Sequence, residues 1–123
     1  MKYILVVDDE QDILDTIVNT LEIEFAEDEV IIHVAENGVI ALKAIMSGNV
    51  TYDLVVTDVN MPEMGGIELT EKIVNLGGGT PIIVFTGHGD IQEEKRLRSL
   101  GVVAMIKKPF VEDLMDKITD SLS

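Results

Sequence analysis

Tyr52-Asp53-Leu54-Val55-Val56-Thr57-Asp58-Val59-Asn60-Met61-Pro62 is the stretch whose reading decides the fold. A short apolar run, Leu54 to Val56, leads into one acid, Asp58, and Pro62, Gly65 and Gly66 then stop regular structure. A brief, continuous apolar run bounded by turn residues reads as a strand covered on both faces. Such a strand hands its terminal carboxylate to a loop, which is a way of making a reactive site. Asp58 is the candidate for that site, with four further apolar runs expected to surround it.

Upstream, Tyr3 to Val7 is a continuous β-branched and aromatic run ending at Asp8, Asp9 and Glu10. Ile13, Leu14, Ile17, Val18, Leu21 and Phe25 then recur at helical spacing, with Asp12, Asp15, Asn19 and Glu22 on the opposite face. After the acidic turn Glu27-Asp28-Glu29, a second strand is expected from Val30 to Ala35. Asn37-Gly38 breaks it, and Val39 to Met46 reads as a short helix closing near Gly48-Asn49.

Downstream, Ile67, Leu69, Ile73 and Leu76 mark a third helix, stopped by Gly77-Gly78-Gly79. Pro81 to Thr86 is the fourth strand, ended by Gly87-His88-Gly89. Asp90 followed three residues later by Glu93 has the pattern of a capping box. The helix it opens is very polar, leaving Ile91, Leu97 and Leu100 to anchor it, so it should be the most loosely held helix. Val102 to Ile106 reads as the fifth strand, and Val111, Leu114, Met115, Ile118 and Leu122 complete a last helix.

Five strand–helix repeats with short connections predict an α/β domain over residues 1–123, a doubly wound five-stranded parallel sheet. Ligands of such sheets bind beyond the carboxyl ends of the strands. Asp8, Asp9, Asp58, Thr86 and Lys108 would therefore meet at one edge. Three carboxylates held together repel unless a hard divalent cation lies among them, and Mg²⁺ suits such oxygen ligands. Lys108 adds a compact positive charge and Thr86 a hydroxyl donor. A positioned carboxylate surrounded by metal, ammonium and hydroxyl is what in-line phosphoryl transfer to Asp58 requires.

The bulk numbers narrow the classes. A net charge of −14 disfavours direct binding to nucleic acid or to anionic membranes, and fits cations and basic partners. The chain has no Cys, which excludes disulfides and thiol chemistry. No run approaches the roughly 20 apolar residues of a spanning helix, and the amino end lacks the pattern of an export signal. A cytoplasmic protein is the expectation.

At this point the chain resembles a receiver domain of a two-component response regulator, most of all the single-domain chemotaxis type. The resemblance rests on Val7-Asp8-Asp9, on Asp58-Val59-Asn60-Met61-Pro62 with Gly65-Gly66, on Thr86 after an apolar strand, and on Lys108-Pro109-Phe110. It implies a flavodoxin-like sheet of strand order 2-1-3-4-5. It implies that Asp58 accepts a phosphoryl group from the phosphohistidine of a sensor histidine kinase or phosphotransfer protein. Asp9, Asp58 and the backbone carbonyl of Asn60 would ligate Mg²⁺ (or Mn²⁺ in its place), with Asp8 assisting through water. Lys108 and Thr86 would bind phosphoryl oxygens, and the Lys108–Pro109 bond would be cis. Such a domain is a signalling switch that catalyses only its own phosphorylation and dephosphorylation. It passes the change to a downstream protein on the face of the fourth helix, fifth strand and fifth helix.

Some positions depart from the family pattern or refine it. The family's aromatic switch position holds Met105, a flexible thioether rather than a two-position rotor, so backbone movement driven by Thr86 is expected to dominate. Asn60, Gly87 and His88 sit where the family tunes access of water to the acyl phosphate. His33, inside a strand pattern, reads as structural. Gly77 to Gly79 is a turn, since no Gly-Lys-Ser/Thr follows. Lys95, Arg96, Arg98, Lys107 and Lys108 concentrate the positive charge, and apart from Lys108 they suggest an acidic partner surface. A phosphatase of the haloacid-dehalogenase type, the alternative with a strand-end Asp, needs a second acid two residues on, where this chain has Asn60.

Overall fold

The computed structural model describes residues 1–123. Five strands, β1 (Lys2–Val7), β2 (Val30–Ala35), β3 (Leu54–Thr57), β4 (Ile82–Thr86) and β5 (Ala104–Lys107), alternate with five helices. These are α1 (Gln11–Glu24), α2 (Gly38–Met46), α3 (Gly66–Leu76), α4 (Ile91–Ser99) and α5 (Val111–Leu122). The strands form one parallel sheet in the order β2-β1-β3-β4-β5, the flavodoxin-like arrangement expected.

The continuous apolar runs of the strands feed two separate cores, because successive side chains point to opposite faces. Ile4, Val6, Leu54, Val56, Ile83 and Phe85 meet α1 and α5 through Leu14, Ile17, Leu21, Leu114 and Ile118. Leu5, Val7, Val55 and Ile82 face α2 and α3, where Ala41, Leu69 and Ile73 cover them. A third, much smaller cluster of Val59, Val84 and Leu97 lies under α4.

That third cluster explains the weak hold on α4. Leu97 is its one buried residue. Ile91, expected to help anchor the helix, is 69% exposed and does not, because it opens the first turn and faces solvent. The capping box is present: Asp90 Oδ1 accepts from the Glu93 N–H at 2.7 Å, and Glu93 Oε1 accepts from the Asp90 N–H at 3.4 Å. Arg96 pairs with Glu71 of α3 at 2.7 Å and Arg98 with Glu94 at 3.0 Å. Two of the basic side chains that suggested an acidic partner are thus already paired within the chain.

Several boundaries moved by one or two residues. β5 starts at Ala104, not Val102: the chain leaves Gly101 at φ +90, Val102 packs down among the helix-side clusters, and Val103 is exposed. Phe25 caps α1 rather than extending it, its N–H donating to the Leu21 carbonyl at 2.9 Å. Pro81 lies just outside β4, although its carbonyl accepts from the Val55 N–H at 3.0 Å. No helix is long and apolar enough to cross a membrane.

Gly66 shapes the loop that follows β3. A side chain there would run into the backbone carbonyl of Asp58, so only glycine lets the first turn of α3 sit against the strand end. The Gly66 N–H donates to the Val59 carbonyl at 2.8 Å and ties that approach down.

Candidate functional site

The site is assembled by strand register. Val7 of β1 pairs with Thr57 of β3, so the next residues, Asp8 and Asp58, emerge side by side. Their backbones are held as well: the Asp8 N–H donates to the Ala35 carbonyl at 3.1 Å, and the Asp58 N–H to the Val7 carbonyl at 3.0 Å. Across the sheet, the Lys108 N–H donates to the Thr86 carbonyl at 2.9 Å. Both carboxyl-bearing residues are nearly sealed, Asp8 at 2% and Asp58 at 6% exposed.

One ammonium joins them. Lys108 Nζ lies 2.9 Å from Asp8 Oδ2, 2.9 Å from Asp58 Oδ2 and 3.3 Å from Glu10 Oε1. Asp58 Oδ1 accepts from the Val59 N–H at 2.7 Å, and Asp8 Oδ1 from the Glu10 N–H at 2.9 Å. The Thr57 hydroxyl donates to the Asp58 carbonyl at 2.9 Å, fixing the peptide that carries the acid. Lys108 precedes Pro109 through a cis peptide bond, as expected.

The charges are unbalanced in one direction. Burial raises the pKa of Asp8, and the nearby Asp58 charge adds to the effect; Lys108 and the Glu10 N–H only partly oppose it. Burial works to lower the Lys108 pKa, but the hydrogen bonds and charges of Asp58 and Asp8 outweigh it, and the net shift is upward. Lys108 is therefore a fixed cation. It touches three acids, Asp8, Glu10 and Asp58, and with Asp9 these form a group in which one carboxylate oxygen of each lies within 4.8 Å of the others. Excess negative charge on hard oxygen donors fits a hard divalent cation such as Mg²⁺. Asn60, two residues past Asp58, is exposed and its carbonyl accepts no backbone hydrogen bond, so it remains available.

Thr86 stands differently. Its hydroxyl donates to the His88 carbonyl at 2.9 Å and accepts from the His88 N–H at 3.3 Å, so it is engaged by its own loop rather than by Lys108. Gly87 lies against Lys108, and a Cβ there would make ordinary contact at 3.8 Å; the glycine gives room without being sterically required. His88 is exposed. Met105 is half-buried on the Val59–Val84–Leu97 cluster. It also lines a cleft of about 560 Å³ between the β4–α4 loop, α4 and β5, shared with Thr86, His88 and Leu97. His33 is structural, its Nδ1 2.7 Å from the Tyr52 hydroxyl.

Of the five residues expected to meet, Asp8, Asp9, Asp58 and Lys108 lie together, while Thr86 is held by its own loop. The sequence expectations left two contributors out. They gave no role to Glu10, although the run of three acids was visible, nor to the Val59 N–H, which no side-chain pattern reports.

A family model described as the response regulator receiver domain matches residues 4–120. The chain belongs to the response regulator receiver domain family. The chemotaxis protein CheY of Halobacterium salinarum is 36% identical to this receiver over 123 residues, covering 99% of this chain and 98% of that protein. The response regulator protein TmoT of Ectopseudomonas mendocina is 37% identical over 76 residues, 61% of this chain but 34% of that relative, so the match spans about a third of it. A CheY-like receiver domain from Methanospirillum hungatei JF-1 superposes with a TM-score of 0.88 at 32% identity, covering 99% of this chain and 94% of that one. The receiver is a domain of phosphorylation-dependent signalling.

Proposed function

We propose that Asp58 is the phosphoryl acceptor and that residues 1–123 act as one receiver unit, cytoplasmic and fed by a sensor histidine kinase or a phosphotransfer protein. The observation that carries this reading is the Lys108 ammonium, bridging two nearly buried carboxylates from the ends of β1 and β3 at 2.9 Å each. A carboxylate oxygen of Asp58 attacks phosphorus, a P–O bond forms as the P–N bond to the donor imidazole breaks, and that nitrogen leaves with the electron pair. The Val59 N–H orients the carboxylate. Lys108 follows the charge from Asp58 onto the phosphoryl oxygens.

Asp9, Asp58 and the Asn60 carbonyl would hold Mg²⁺ or Mn²⁺, with Asp8 assisting through water. When bound, the ion neutralises phosphoryl oxygens as a Lewis acid. The Thr86 hydroxyl then leaves the His88 carbonyl for a phosphoryl oxygen, which loosens the 87–90 loop and with it α4. Output passes to a downstream protein on the α4/β5/α5 face, without direct contact to nucleic acid or membrane. Lys95 of α4 and Lys107 of β5, neither in an ion pair within the chain, favour an acidic partner. Asn60, Gly87 and His88 set the lifetime of the acyl phosphate. Met105 repacks within its cleft as the loop moves, a secondary event to the backbone shift.

The test is treatment with acetyl phosphate, or BeF₃⁻, with and without Mg²⁺. A modification or conformational response that needs Mg²⁺ and vanishes in Asp58→Asn supports the reading; a wild type without any such response overturns it. A changed Met105 rotamer with the 87–91 backbone still would refute the order of events at the switch.

A further inference from the structure

Glu10 has no part in the transfer just described, yet its carboxylate reaches the group on which transfer depends. Its Oε1 lies 3.3 Å from Lys108 Nζ, beyond the two 2.9 Å contacts to Asp8 and Asp58. Three carboxylates thus share the three protons of one ammonium. The Glu10 side chain is 62% exposed, against 2% and 7% for the other two, so Glu10 takes the solvent-facing side of Lys108. Its backbone is pinned, because its N–H donates to Asp8 Oδ1 at 2.9 Å. Asp9, next to it, is exposed and makes no side-chain hydrogen bond or ion pair, whereas Glu10 is engaged with Lys108.

We infer that Glu10 is a specificity-determining positioning residue, which occupies the outer position on Lys108 that an incoming phosphoryl oxygen must take. The inference rests on Asp58 being the acceptor. A phosphoryl group reaching Asp58 has to displace the Glu10 carboxylate, and it meets that negative charge as it enters. A free anionic donor has only its phosphoryl contacts to offset this. A protein-borne phosphohistidine meets the same repulsion but is held by its own interface, and binding energy from remote contacts offsets the local cost. Glu10 therefore biases the site toward docked protein donors and against small anionic ones.

The experiment measures phosphorylation of the full chain at saturating Mg²⁺ by acetyl phosphate, a dianion, and by phosphoramidate, which carries less negative charge. Glu10→Gln should raise the second-order rate constant for acetyl phosphate about two- to fivefold, the scale of an exposed charge contact. The gain should appear in KM, be smaller for phosphoramidate, and shrink at high salt. Glu10→Asp, which keeps the charge, should stay within about twofold of wild type on the same scale. Equal gains with both donors, no gain, or slowing with both would overturn the inference. So would a loss of Mg²⁺ affinity of about tenfold or more, read by thermal shift without any donor, since that is the mark of a residue acting on the metal. If wild type is not phosphorylated at Asp58 by either donor, the acceptor reading itself fails and this inference falls with it.

Discussion

The β1–β3 edge and the β4–α4 segment lie on the same rim of the sheet and are built in opposite ways. At the first, Asp8 and Asp58 follow strands whose residues are almost all sealed; the Glu10 N–H holds the Asp8 carboxylate, the Val59 N–H that of Asp58, and Lys108 both. At the second, residues 87 to 92 are all exposed, one leucine buries α4, and Thr86 is tied to its own loop by two hydrogen bonds. Chemistry needs pre-set geometry, and a response needs an element that moves for little free energy. The receiver separates the two jobs by a few residues of β4.

The contrast can be broken most directly in the cores. Leu69 of α3 and Leu97 of α4 are both buried, at 0% and 1% exposed. Leu69→Ala should lower global stability by about 2–5 kcal/mol, the usual range for a sealed leucine. Leu97→Ala should instead show mainly as faster amide exchange within 87–100, with a smaller change in the global urea transition. Equal global losses would mean that α4 is as integral as α3.

Lys108→Met attacks the rigid half. It strands Asp8 and Asp58 without a counter-charge, and removing one partner of a largely buried pair costs roughly 3–5 kcal/mol. The loss should appear in urea denaturation without metal and be partly recovered by Mg²⁺, more than wild type gains. Asp90→Ala attacks the mobile half. Losing an N-cap costs about 1 kcal/mol, so the expected effect is fraying of α4 with the melting of the sheet barely moved.

Asp8→Asn sharpens the comparison by sign. The Asp8 pKa is raised above 3.8 in the fold, chiefly by burial, so the folded chain binds that proton more tightly than the unfolded one. The Asp8 contribution to stability is full below the unfolded pKa and declines as pH rises through the folded one. In metal-free buffer at neutral pH the charge is a burden, and Asp8→Asn should therefore raise the melting temperature while weakening the stabilisation by Mg²⁺. A lower melting temperature without metal would contradict the assigned cause.

Most of the rigid half was legible in the sequence, because continuous apolar runs and helical spacing report burial, and burial decides a parallel sheet. Asp8, Asp58 and Lys108 follow once strand ends are aligned. The mobile half was harder to read for the same reason. Ile91 looked like an anchor by composition, but its position in the first turn of α4 turns it to solvent. The Thr86–His88 bonds depend on loop dihedrals, which no periodicity encodes. Glu10 was in plain view beside Asp8 and Asp9, yet its reach to Lys108 crosses 98 residues of sequence.

The most direct test of the division between fixed chemistry and yielding response is residue-resolved amide exchange with and without BeF₃⁻ and Mg²⁺, on wild type and Asp58→Asn. The account predicts changes concentrated in 86–100 and β5 of wild type, little change in β1 and β3 beyond the site, and none in Asp58→Asn. Changes spread evenly over the sheet, or an undiminished response in Asp58→Asn, would contradict it.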